Sequence, residues 1–137
     1  MKILVDENIP LSAEYFAAFG EVRSLPGRAI KAADLADIDV LLVRSVTRVD
    51  AALLGTSPVR FVGSATSGID HIDTQYLAQA GIGFCHAPGA NARSVVEYVL
   101  AAVLYRARLR AQNPWPCSLG IIGLGHVGSL LYDTFSA

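Results

Sequence analysis

The 137 residues carry 11 Lys and Arg against 12 Asp and Glu, a formal net charge of −1, so charge balance draws the chain toward neither nucleic acid nor an anionic membrane. With 53% hydrophobic and 17% charged residues it has the composition of a folded α/β protein with a sizeable core, which excludes a disordered segment. No apolar run approaches the roughly 18 residues of a membrane span, and Met1-Lys-Ile-Leu-Val-Asp6 is too short for a signal peptide, so the chain is expected in the cytoplasm. Cys85 and Cys117 form no C-x-x-C pair and sit beside apolar runs, which predicts buried, reduced thiols and no metal site.

In chain order, short apolar runs alternate with helical patterns. Ile3-Leu-Val5 predicts a first strand, and Leu11, Tyr15, Phe16 and Phe19 recur at helical spacing up to Gly20. A second strand is expected around Val22, ending at Pro26-Gly27. Lys31 to Ala36 can form a helix, Val40-Leu-Leu-Val43 a third strand and Asp50 to Leu54 a short helix closed by Gly55. Val59 to Gly63, Ile72 to Ala80 and Ile82 to Cys85 then read as strand, helix and strand. Strands spaced by helices imply right-handed crossovers and a parallel sheet, so residues 1 to about 88 form one small α/β unit.

Ligands of such sheets gather at the carboxyl ends of the strands. That rule nominates Asp6-Glu-Asn8, Arg44-Ser-Val-Thr47, Ser64-Ala-Thr-Ser-Gly68 and His86-Ala-Pro-Gly-Ala-Asn91. The loops after the third and fourth strands are rich in hydroxyls and small residues, which suit an oxyanion. Each also has a purely structural reading: Thr47 with Asp50 resembles a capping pair, and Thr66 and Ser67 could cap the helix beyond Gly68.

From Asn91 a long helix is expected, with Val96, Val99, Leu100, Val103 and Leu104 on its apolar face, Asn91 and Ser94 as candidate caps, and a basic end at Arg106, Arg108 and Arg110. Asn113-Pro-Trp-Pro116 breaks the chain before Cys117-Ser-Leu-Gly-Ile-Ile-Gly-Leu-Gly-His-Val-Gly128. Here Leu119, Ile121 and Ile122 predict a buried strand, Gly123, Gly125 and Gly128 fit G-x-G-x-x-G, and Leu130, Leu131 and Phe135 mark a following helix. That context is what a pyrophosphate-binding turn requires; an ordinary glycine-rich turn is the alternative. The acidic ribose partner expected about 20 residues on is not reached before Ala137, so the chain is expected to be the front portion of something longer.

Val43-Arg-Ser-Val-Thr47, Phe61-Val-Gly-Ser-Ala-Thr-Ser-Gly-Ile-Asp-His71, Ala87-Pro-Gly-Ala-Asn-Ala92, Val95-Val-Glu-Tyr98 and the glycine motif, with Met1 to Asn8 and Leu25-Pro-Gly-Arg28, closely resemble the 4-phosphoerythronate branch of the D-2-hydroxyacid dehydrogenase family. The resemblance spans essentially the whole chain. It implies a flavodoxin-like, parallel-sheet substrate domain whose first part is residues 1–90. An interdomain helix and linker would follow over 91–116, and the opening βα unit of a Rossmann NAD-binding domain over 117–137. It also implies oxidation of 4-phospho-D-erythronate at its 2-hydroxyl with NAD accepting the hydride, in pyridoxal 5′-phosphate biosynthesis, by a homodimer.

By the same resemblance Ser45 and Thr66 match substrate-binding positions, Ser67 and Gly68 offer amides to a carboxylate, and Gly123, Gly125, His126, Val127 and Gly128 face the cofactor. Arg44, beside Ser45, suits a doubly charged phosphate, with a solvated arginine as the alternative. The family's catalytic arginine, glutamate and histidine are expected beyond Ala137, so no catalytic residue is assigned; His71, His86 and His126 match none of them, and His71 reads as a helix-start residue. A non-catalytic module of this family, binding a small anion or another chain, is the alternative function.

Overall fold

A computed structural model describes residues 1–111, 113 and 118–136. They divide into two compact units, Met1–Ala87 and Pro88–Ala137.

The first unit is a parallel sheet. Its strands are β1 (Lys2–Asp6), β2 (Glu21–Leu25), β3 (Val40–Val43), β4 (Phe61–Ser64) and β5 (Gly83–His86), in spatial order β2-β1-β3-β4-β5. This is the flavodoxin-like doubly wound order, with the reversal between β1 and β3. Residues opposite one another run Val5, Leu42, Gly63 and Cys85 on one face and Leu4, Leu41, Val62 and Phe84 on the other.

The two faces are covered unequally. Helices α2 (Ala51–Leu54) and α3 (Thr74–Gln79), with 3-10 turns at Gly27–Ala29 and Ala32–Leu35, enclose the main core of Leu4, Leu41, Val43 and Val62 against Leu35, Val49, Leu54, Ile72 and Leu77. On the other face Ile3, Val5 and Leu42 are buried beneath Ile9 and Phe16, the latter on helix α1 (Ser12–Phe16). Cys85 lies on that second face of an edge strand and is exposed, a correction to the expected buried thiol: apolar neighbours in sequence do not cover a side chain whose sheet face is left open. Cys117 lies outside the described residues.

Local chemistry explains several shifts from the sequence pattern. α1 stops at Phe16, so Phe19 is exposed and does not extend the helix. The expected helix over 31–36 is a single 3-10 turn, held by Asp34 Oδ2 accepting from the Lys31 amide at 2.9 Å. Asp50 itself, not a pair with Thr47, caps α2 by accepting from the amides of Ala52 and Leu53 at 3.0 and 3.1 Å. Asp73, not Thr66 or Ser67, caps α3 through the Tyr76 amide.

The second unit contains helices α4 (Ala92–Leu109) and α5 (His126–Ser136), packed against each other. Asn91 stands at the N-cap of α4 without a side-chain capping bond, and Ser94 lies within the helix, while Arg93 and Glu97 pair at 3.1 Å one turn apart. The run Leu119 to Ile122 differs from expectation. It forms no strand, and Ile122 is fully exposed. A parallel strand exists only in a ladder with a neighbour, and among the described residues none pairs with this segment.

Candidate functional site

In the first unit, the carboxyl ends of β1, β3 and β4 bring polar loops together. β1 ends in Asp6, which is fully buried; its Oδ1 accepts from the Asn8 amide at 2.9 Å, and its Oδ2 finds no hydrogen-bond partner among the described residues. Gly27 is needed beside it, since a Cβ there would stand 2.2 Å from Asp6 Oδ2. Thr47, buried after β3, donates to the Gly27 carbonyl at 2.8 Å and so ties this loop to that turn.

A cavity of about 420 Å³ opens at this end, lined by Ser45, Val46, Arg48, Gly68, Asp70 and His71. Two expected substrate residues, Ser45 and Gly68, thus reach one cavity from loops after different strands. Arg44 does not line it. It is half-buried at the end of β3, with its carbonyl accepting from the Thr47 amide. Arg48 lines the cavity instead, and it is already paired with Asp50 at 3.0 Å.

A line of side-chain hydrogen bonds runs from one lining residue, His71, to another, Gly68. His71 Nε2 lies 3.0 Å from Ser64 Oγ, Ser64 Oγ lies 2.8 Å from Thr66 Oγ1, and Thr66 Oγ1 donates to the Gly68 carbonyl at 3.3 Å. Ser64 is buried at the last position of β4. Ser67 turns away from this line and donates to the Ala87 carbonyl at 3.1 Å, while His86 Nδ1 lies 3.1 Å from the Ser67 carbonyl. Burial holds the His71 imidazole below the ordinary histidine range, against the opposing pull of the Asp70 charge. His71 is therefore no helix-start residue: it sits in the loop ahead of Asp73, its side chain directed at Ser64, its carbonyl accepting from the Val49 amide. Nothing in the sequence signalled that contact, because it depends on the loop folding back over the end of β4.

In the second unit the three glycines of the motif each do a different job. Gly123 adopts φ +91°, a left-handed conformation that other residues resist. Gly125 has open space where a side chain would project. A Cβ at Gly128 would stand 1.9 Å from the Gly123 carbonyl oxygen, so only glycine lets the turn lie on the helix. The turn is closed by the Ser129 amide and hydroxyl, which donate to the carbonyls of Gly125 and Leu124, each at 2.9 Å. His126 and Val127 open α5, and the His126 ring lies within 3.1 to 3.4 Å of where a Gly89 side chain would begin. The amides at this helix start and the room at Gly125 can take a pyrophosphate.

Comparison with known proteins adds the family. The model for the D-isomer specific 2-hydroxyacid dehydrogenase catalytic domain matches residues 3–133. Erythronate-4-phosphate dehydrogenase of Ectopseudomonas mendocina is 56% identical over 131 residues, covering 96% of this chain and 35% of that protein. The namesake of Escherichia coli O17:K52:H18 is 52% identical over 137 residues, covering 100% and 36%. The chain thus spans about a third of the length of the curated relatives it matches. Among solved structures, NAD⁺-bound 3-phosphoglycerate dehydrogenase of Entamoeba histolytica superposes with a TM-score of 0.72 at 22% identity, over 99% of this chain and 50% of that one. D-lactate dehydrogenase of Aquifex aeolicus, in complex with NAD and lactic acid, gives 0.71 at 18% identity, over 99% and 48%. Those two share the fold; the family follows from the match over nearly every residue, and the chain belongs to the D-isomer specific 2-hydroxyacid dehydrogenases.

Proposed function

We propose that these residues are the first part of an NAD-dependent dehydrogenase that oxidises 4-phospho-D-erythronate at its 2-hydroxyl, on the route to pyridoxal 5′-phosphate, as a cytoplasmic homodimer. Residues 1–90 would then be the first part of the substrate domain, 91–116 the helix and linker between domains, and 117–137 the opening of the nucleotide domain. The observation that carries this reading is the meeting of Ser45 and Gly68 in one cavity, with Thr66 bonded to Gly68. Relatives bearing that activity's name, 52–56% identical over nearly the whole chain, support it.

On this reading Ser45 and Thr66 hydrogen-bond the substrate, the loop at Ser67 and Gly68 presents amides to its carboxylate, and Arg44 forks its phosphate. Gly123, Gly125, His126, Val127 and Gly128 hold the dinucleotide by backbone amides, which the open space at Gly125 and the close approach at Gly128 suit. Bound there, NAD supplies the hydride acceptor. The chain's own residues bind and orient; none is assigned as the base that removes the hydroxyl proton.

Calorimetric titration with 4-phospho-D-erythronate tests the reading. Thr66→Val and Ser45→Ala should each weaken binding about fivefold, the worth of a hydrogen bond. The chain alone should reduce no NAD in the presence of this acid. Unaltered affinity in both variants would remove the substrate assignment, and steady turnover by the homogeneous chain would show that the base lies within it.

A further inference from the structure

The hydrogen bonds from His71 to Gly68 run in one direction only. A carbonyl oxygen cannot donate, so the bond between Thr66 Oγ1 and the Gly68 carbonyl uses the single Thr66 proton. Thr66 Oγ1 must then accept from Ser64, which spends the single Ser64 proton at 2.8 Å. Ser64 Oγ is left to accept from His71, so the proton of the imidazole sits on Nε2, 3.0 Å away. The last bond is the longest of the three, at 3.3 Å, and Thr66 is only half-buried, so it is the one a ligand can most readily take over.

We propose that His71 is a positioning residue which, through Ser64, keeps Thr66 as a hydrogen-bond donor, so that Thr66, bonded to the cavity-lining Gly68, selects an acceptor oxygen such as that of a carboxylate or phosphate. The inference rests on the assignment of Thr66 as a substrate contact. With Ser64 donating to it, the Thr66 oxygen is already engaged, and its proton has only the weak Gly68 bond to lose. A ligand oxygen that carries a lone pair gains that proton, whereas a ligand group that donates has only the second lone pair of Thr66 Oγ1, the first being taken by Ser64. The lowered proton affinity of the buried ring fits this role, since a neutral imidazole with its proton at Nε2 completes the line without bringing a full charge beneath the loop.

Two measurements test it. Nitrogen-15 shifts of His71 in the free chain should report Nε2 as the protonated nitrogen, and a bare Nε2 overturns the direction of the line. For 4-phospho-D-erythronate, His71→Leu should weaken affinity about fivefold and His71→Gln, which keeps a donor near the same place, less than about twofold. In a Thr66→Val background His71→Leu should add less than about twofold, because the group it positions is gone. Ser64→Ala cuts the same line without touching the histidine and should match His71→Leu, which keeps the test decisive if the leucine variant fails to fold. If Thr66→Val weakens binding while His71→Leu costs the same in both backgrounds, the positioning role is wrong and the substrate contact stands. If Thr66→Val costs nothing, the substrate contact itself falls, and this inference with it.

Discussion

Val40-Leu-Leu-Val43 and Leu119-Gly-Ile-Ile122 read alike as short apolar runs ahead of a turn, yet the first is a fully paired central strand and the second is no strand at all. β3 lies between β1 and β4, and Leu41 and Val43 lose all solvent exposure there. Ile122 keeps all of its exposure, and no described segment pairs with it. Apolar, β-branched sequence is a preference for a buried pleated surface, and without a partner it has nothing to express. The glycine turn beside the second run forms all the same, because a positive φ and a close carbonyl contact are local facts about the backbone.

The largest effect should separate the two runs. Leu41→Ala removes a side chain sealed in the main core and should cost about 2–5 kcal/mol in urea unfolding. Ile122→Ala should stay within roughly 0.5 kcal/mol. Equal losses would mean that the second run is buried in solution, and the contrast would be broken.

The next sharpens the claim that the turn is locally encoded. Gly128→Ala would place a Cβ 1.9 Å from the Gly123 carbonyl, which must move away, at a local cost of roughly 1–3 kcal/mol. Gly125→Ala meets nothing within 4 Å and should be near neutral. Amide exchange at Ser129, whose N–H is held by Gly125, should quicken in the first variant and not in the second. The same response in both would show that the turn is not limited by that contact.

These contrasts explain what was legible in the sequence. All five strands of the first unit could be placed, because central parallel strands read as apolar runs, and the carboxyl-end rule nominated the loops of Ser45 and Gly68, which meet in one cavity. The strand at 119–122 misled because ladder partners are not local. Closeness to Ser45 in sequence does not bring Arg44 into the cavity lining, where Arg48 stands instead. His71 and Ser64 were out of reach, since their bond joins a strand end to a loop seven residues on.

A smaller effect concerns what holds the short helix α2. The Asp50 carboxylate accepts from the amides of Leu53 and Ala52, and Asp50→Ala should cost about 1 kcal/mol. The Leu53 amide first, with help from Arg48, holds the Asp50 carboxyl below its ordinary range. Its contribution is therefore present above the unfolded carboxylate value and is lost as pH falls through the folded one. The cost of Asp50→Ala in denaturant melts should shrink on acidification, and a constant cost across that window would show that the capping charge contributes nothing.

His71 should give the smallest change, with its acid limb at higher pH than that of Asp50. Burial depresses the imidazole, so on acidification the unfolded chain takes up its proton first, near about pH 6.5, and the folded chain follows only at lower pH. The stability linked to a neutral His71 is fully present above that unfolded value and drains away as pH falls through the folded one. Asp70 favours the protonated form against this burial, and Arg48, which lines the same cavity, is paired with Asp50. Between about pH 7.5 and about pH 5.5 the unsubstituted chain should lose more stability than His71→Gln, which cannot titrate but can still donate toward Ser64. Parallel losses would mean that burial does not govern the ring, and that the loop beyond β4 opens to water as freely as the run at 119–122.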